Sequence, residues 1–191
     1  MTKMFWQSPA IVLLAAGALV CCATAYAQAP KKAEKKAAKP DPAEQATLLG
    51  QFSDWGAYTA TPGGKKICFA LAKPTSATTE PAGRPRDPSY AFVSTRPAEK
   101  VKNEVSVIVG YTQKVGHDAT ANIGSANYVM YTQNDGAWVK NAAEEAQMVD
   151  AMRKGSDLVV KSESGRGTKT TDTYSLKGLG QALDKVAAEC K

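Results

Sequence analysis

Histidine is almost missing from this chain: His117 is the only one among 191 residues. It lies in Lys114-Val115-Gly116-His117-Asp118, a turn between strand-like runs. That spacing brings it neither a nucleophile nor further ligands, which removes a histidine triad and a histidine-based metal site. Cysteine is scarce as well, four in all, with no Cys-x-x-Cys pair for redox catalysis. Gly165-Arg166-Gly167-Thr168 is too short for a phosphate loop and joins two strands, whereas that motif must open a helix. Gly124-Ser125-Ala126 lacks the second glycine of a nucleophile elbow. Glu144 and Glu145 stand at a helix start, where the macrodipole favours carboxylates without a catalytic role. The arginines are scattered rather than interleaved with aromatics, which argues against nucleic acid as a partner. The expectation is a protein that is not an enzyme, with no catalytic residue, cofactor or metal; an unrecognised hydrolase is the remote alternative.

Long apolar runs are also absent. Ile11 to Val20 falls well short of the ~20 residues that span a bilayer, and no later stretch approaches that length. Following Lys3 and preceding Ala25-Tyr26-Ala27, the run reads as a signal peptide over residues 1–27, cleaved between Ala27 and Gln28. A retained anchor is a second reading. A lipidated Cys21 or Cys22 is a third, although Leu19-Val20 lacks the small residue expected ahead of such a cysteine. Export would leave Cys68 and Cys190, and would lower the net charge from +6 to +5 through loss of Lys3.

Residues 28–47 hold Ala, Lys and Pro, with no aromatic and no β-branched residue before Thr47. Such a segment buries too little apolar surface to offset the entropy of ordering it, and reads as a tether. Lys31, Lys32, Lys35, Lys36 and Lys39 offer peripheral contact with an anionic surface. Residues 48–191 are long enough for one domain with a real core.

That domain reads as mainly β. Val105, Val107, Val109 and Tyr111 share one face at period two, with Ser106, Ile108 and Gly110 on the other. Four apolar residues on one side require a covering layer. In Lys65 to Ala72, Ile67, Phe69 and Leu71 oppose a small-residue face of Cys68, Ala70 and Ala72, suited to a close-packed helix. Trp55 reads as core within a strand beginning near Phe52. Further strands are expected at 90–95, 119–123, 126–132, 137–139, 157–162 and 168–176, with Asn134-Asp135-Gly136 as a hairpin turn. Lys73 to Ser89 carries four prolines and no large apolar residue, and reads as a long loop. Arg84 and Arg86, with Arg96 past the next strand, form a candidate anion-binding corner.

Two helices complete the reading. Asn141 caps one over 142–154, with Ala142, Ala146, Val149 and Met152 as its apolar stripe. The last, over about 179–190, carries Leu179, Ala182, Leu183, Val186 and Cys190. Cys190 thus ends an apolar stripe and Cys68 lies on the face suited to receive it. In an oxidising compartment the two should pair; two free thiols are the alternative.

Phe52 with Asp54-Trp55 and Tyr58, Cys68-Phe69-Ala70-Leu71, and Arg86-Asp87-Pro88 followed by Phe92-Val93-Ser94-Thr95-Arg96-Pro97 come in a telling order. Asn103-Glu104-Val105-Ser106, Asp135-Gly136-Ala137-Trp138, Thr171-Asp172-Thr173-Tyr174-Ser175-Leu176 and Cys190 continue it. Together they resemble the invasion-associated locus B family of exported bacterial proteins, over nearly all of residues 50–190. The resemblance implies an immunoglobulin-like β-sandwich in the periplasm or at the outer membrane, and a link to host-cell invasion in some pathogens. It supplies no agreed catalytic or binding residues. The expected function is a non-catalytic binding or adhesion module whose partner is an envelope or host-surface protein or an anionic polymer. A structural or chaperone-like envelope protein, contacting others through strand edges, is the alternative.

Overall fold

A computed structural model describes residues 41–191. The expected leader with its Ala27–Gln28 cleavage point, and the stretch from Lys31 to Lys39, lie outside the described residues. The fold is mainly β, with eleven antiparallel strands and two short α-helices, the second C-terminal.

The alternating valines form β6 (Val101–Ile108). Val105, Val107 and, just beyond the strand, Val109 are wholly buried, as their spacing requires. The strand stops before Gly110, whose φ is 77°. A Cβ there would stand 2.0 Å from Asp87 O, so only glycine allows the chains to approach this closely. On one side of β6 lie β5 (Tyr90–Arg96), β3 (Ile67–Ala72), β2 (Trp55–Ala60) and β1 (Thr47–Phe52). On the other lie β9 (Gly136–Val139), β8 (Ala126–Gln133), β7 (Ala119–Ile123), β10 (Asp157–Glu163), β11 (Lys169–Ser175) and β4 (Ser76–Glu80).

In a flat sheet this order would hold β2 and β11 on the order of 40 Å apart. Yet Trp55 Nε1 donates to Ser175 O at 2.8 Å, and Asp54 N to Lys177 O at 3.3 Å. The sheet therefore curls until its two halves enclose one core, in which Trp55, Val93 and Val107 share a cluster with Met130, Leu158 and Tyr174. Two layers result, carried by one continuous hydrogen-bonded sheet.

Each helix buries one face against the core and leaves the other exposed. In α1 (Ala142–Lys154), the Asn141 side chain accepts from Glu144 N at 2.9 Å, the expected cap. Its stripe is rotated from the expected one. Met148, Val149 and Met152 are buried while Ala142 and Ala146 are exposed, because the helix turns Glu145 towards β6. In α2 (Leu179–Glu189), Leu179, Ala182, Leu183 and Val186 are buried as their spacing requires. This helix packs against β2 and β3, where Cys68, Ala70 and Ala72 admit its backbone. Cys68 and Cys190 are joined by a disulfide, their Cα atoms 5.9 Å apart.

Two boundaries differ from expectation. Residues 41–47, read as tether, are structured: Asp41 pairs with Lys73 at 2.7 Å, Ala46 packs on an aromatic cluster, and β1 starts at Thr47. The Lys73–Ser89 stretch is not a plain loop, since β4 lies within it and pairs with β11 from Ser76↔Thr173 to Glu80↔Lys169. The backbone groups along β11 need partners on both sides. The β-branched pair Thr78-Thr79 suits that role despite the surrounding prolines.

Candidate functional site

Alternation along β3 places Cys68, Ala70 and Ala72 under α2 and turns Ile67, Phe69 and Leu71 the opposite way. The outer face of an antiparallel sheet is ordinarily polar; this one is not. Leu48 faces Tyr58, Tyr58 faces Phe69, and Phe69 faces Ser94 across neighbouring strands. One step along, the row runs Leu71, Phe92, Ser106, Trp138, Tyr131. Directly paired residues share a face. Tyr58, Phe69, Tyr90, Phe92, Tyr131 and Trp138 therefore all stand outside, six of the eleven aromatic residues beyond position 40. More than half of the aromatic residues beyond position 40 therefore lie away from the main core. Leu48, Val129 and Tyr131, respectively 53%, 37% and 41% exposed, lie on the same face. Exposed apolar residues beside stacked rings on the outer face of the curled sheet make this face a candidate interaction site.

The rings come in two ordered pairs. Tyr58 and Phe69 stack at 5.5 Å with planes 15° apart, and Tyr131 and Trp138 at 5.6 Å with planes 25° apart. Each pair leans over a glycine two residues before one of its rings. A Cβ on Gly56 would stand 2.5 Å from Tyr58 Cε2, and one on Gly136 only 2.2 Å from Trp138 Cη2. This explains a repeated signal, Gly56-Ala57-Tyr58 and Gly136-Ala137-Trp138. Gly136 accordingly belongs to β9, and the hairpin turn is made by Asn134, at φ 55°, with Asp135.

Between the pairs the small side chains of Ser94 and Ser106 leave a trough. A cavity of about 600 Å³ opens there, walled by Pro42, Ala46, Phe69, Phe92 and Ile108. Among the described residues neither serine hydroxyl has a hydrogen-bond partner. Arg96 closes one end, its Nε donating to Glu99 at 2.7 Å and its Nη1 and Nη2 to Glu104 at 2.8 Å each. Beside the trough, Lys73 pairs with Asp41 and stands 5.8 Å from the Tyr90 ring centroid. The hydrogen bond between them lowers the Asp41 pKa and raises that of Lys73.

Glu145 supports the trough from α1, accepting from Val105 N at 2.8 Å. Burial holds its pKa above the usual carboxylate value. The folded chain therefore binds this proton more tightly than the unfolded chain, and Glu145 makes stability fall as pH rises from about 4.5 through the raised value. Glu145→Gln keeps an acceptor for Val105 and abolishes the titration. Its stability relative to wild type should improve between pH 4 and pH 7, read as the urea midpoint at each pH. An unchanging difference across that range would refute the assignment.

The expected arginine corner is not assembled. Arg84 is exposed, with its backbone N donating to Thr79 Oγ1. Arg86 is nearly buried in an ion pair with Asp172, and Arg96 lies at the other end of β5, roughly 20 Å of strand away. Only Arg96 lines the trough. His117 stands exposed on its turn, with Nδ1 3.3 Å from Val115 O. Among the described residues no group of three or more His, Cys, Asp or Glu side chains is placed to hold a metal ion. No described helix is long and apolar enough to cross a membrane.

Comparison with protein families matches residues 55–187 to Invasion associated locus B (IalB) protein. The chain belongs to the IalB family. Comparison with curated proteins and with solved structures returned no match. The IalB match contains the trough floor on β3, β5 and β6 and both Gly-Ala-aromatic repeats, whereas the wall formed by Pro42 and Ala46 precedes it. The family is bacterial, its members are generally exported, and its description associates it with invasion.

Proposed function

We propose that this chain is an exported, non-catalytic binding module that engages a protein of the cell envelope or of a host surface through the outer face of β1–β3, β5, β6, β8 and β9. One observation carries this reading: stacked aromatics and three exposed large hydrophobics share a face that an antiparallel sheet normally leaves polar. The IalB description names an association and no reaction, which agrees with binding rather than turnover. Periplasmic or outer-membrane residence belongs to the same proposal.

The rival reading, a structural or chaperone-like protein working through strand edges, has less to work with. Edge strand β1 carries a register shift between Leu48 and Gly50, and edge strand β4 has five residues followed by Pro81. Bulges, short edges and prolines all blunt edge pairing.

A photo-crosslinking residue placed at Tyr131 should capture a defined protein partner in intact cells. The same residue at exposed Asp150 on α1 should capture little. Equal capture at both positions, or none at Tyr131, would remove this face as the contact surface.

A further inference from the structure

We propose that the trough over Ser94 and Ser106 holds the acyl chain of an anionic amphiphile, with its carboxylate or phosphate head at the end where Arg96 lies. The lining decides the tail. Pro42, Ala46, Ile67, Phe69, Phe92 and Ile108 supply apolar surface, and the volume of about 600 Å³ falls within the range of small-molecule sites. From Glu104 to Ile108 the floor follows β6 for roughly 13 Å, the reach of an extended chain of about ten carbons.

The backbones of β3 and β5 beneath are paired within the sheet on both sides. A peptide or a sugar would therefore bury its own polar groups with only the side chains of Gln45, Thr61, Ser94 and Ser106 as uncharged partners. Each group left unmatched costs affinity. A hydrocarbon chain has none to match.

The head follows from the charges at one end. Arg96 is met there by Glu104 and Glu99. Lys65 lies two residues before Ile67, Lys102 two residues before Glu104, and Lys100 in the turn between β5 and β6. All three lysines are exposed, and among the described residues none has an ion-pair partner. Together with Arg96 they outnumber the two glutamates, so this end attracts an anion. Elsewhere beside the trough, Lys73 is already matched by Asp41. Residues 28–40, which precede the Pro42 wall, carry five lysines against one glutamate, the wrong sign to occupy that end.

This site goes beyond the protein contact proposed above and is tested apart from it. The full chain is titrated calorimetrically with octanoate, decanoate and decyl phosphate, each below its micelle-forming concentration. A single saturable site is expected, tightening about tenfold from octanoate to decanoate as two methylenes leave water. The tighter of decanoate and decyl phosphate identifies the head, and inorganic phosphate alone should not bind. Decyltrimethylammonium, with the opposite charge, should bind at least about tenfold more weakly than decanoate. Ser106→Leu, which fills the trough, should weaken decanoate by a similar factor. Lys65→Glu with Lys102→Glu should reverse the preference for head charge and keep the dependence on chain length. Thermal melts check that the variants fold. Absence of binding, equal affinity for the two head charges, no effect of chain length, or binding undiminished by Ser106→Leu in a folded variant overturns the proposal. If no amphiphile binds while crosslinks at Tyr131 persist, the protein contact stands and this ligand is wrong; amphiphile binding without crosslinks gives the reverse.

Discussion

Replacing Asp172 with Ala should destabilise the fold by about 3–5 kcal/mol. Asp172 is 1% exposed, on β11. Its carboxylate receives both Nη1 and Nη2 of Arg86, the first at 2.8 Å. Arg86 Nη1 also donates to Val109 O at 3.0 Å. The pair fastens the stretch after β4 to β11 and to the end of the central strand. Removing the carboxylate leaves a guanidinium without its counter-charge where its side chain is only 11% exposed. Nearby, burial raises the pKa of the Tyr174 phenol, with the Asp172 charge acting in the same direction, so this environment already disfavours uncompensated charge. The control is Arg86→Met with Asp172→Leu, which removes both charges at similar volume and should cost far less than either single change. Urea unfolding of wild type, Asp172→Ala, Arg86→Ala and the double variant decides it. A single-variant loss below about 1 kcal/mol would show the pair to be more solvated than its burial indicates. The same result bears on the arginine corner: Arg86→Ala would perturb the fold, so only Arg84 and Arg96 are open to a binding test.

Opening the Cys68–Cys190 link should cost roughly 4–5 kcal/mol in the chain-entropy account, because the bond joins residues 122 positions apart. Cys68 is wholly buried and Cys190 is 7% exposed, so the bridge lies between β3 and the end of α2. The variant carrying both Cys68→Ala and Cys190→Ala avoids a stray thiol. Its urea midpoint should fall far below that of the oxidised wild type, and wild type under strong reductant should approach it. Indistinguishable midpoints would mean that the α2 stripe alone holds the helix in place. Cys68 alternates with Ile67 and Phe69 along β3, and those two line the trough on the other face. Reduction should therefore loosen the proposed binding face together with the helix behind it.

Period-two and period-three-to-four patterns were enough to find most elements. The valine alternation marked β6, the Asn141 cap marked the start of α1, and the spacing from Leu179 to Cys190 marked α2. The cystine was legible too, because Cys68 lies on a small-residue strand face and Cys190 ends the apolar helix stripe suited to cover it. The binding face was not. Ile67, Phe69 and Leu71 share a side, but alternation says only which residues go together, never which side meets the core when both sides are apolar. In sequence Glu145 is a helix-start carboxylate and no more, since nothing near it announces a bond to Val105, forty residues upstream.

What the order of residues determined by itself is local: strand or helix, the pairing of residues on a face, the cap, and the chemistry of the two cysteines. The curl of the sheet decided everything that depends on distant segments meeting. It brought Trp55 to Ser175, closed one core between the two halves, and buried Arg86 against a carboxylate 86 positions away. It also left the aromatic side of β3 facing outward, because α2 packs closely against the small residues on the opposite side and takes the interior place that the larger side chains would otherwise fill.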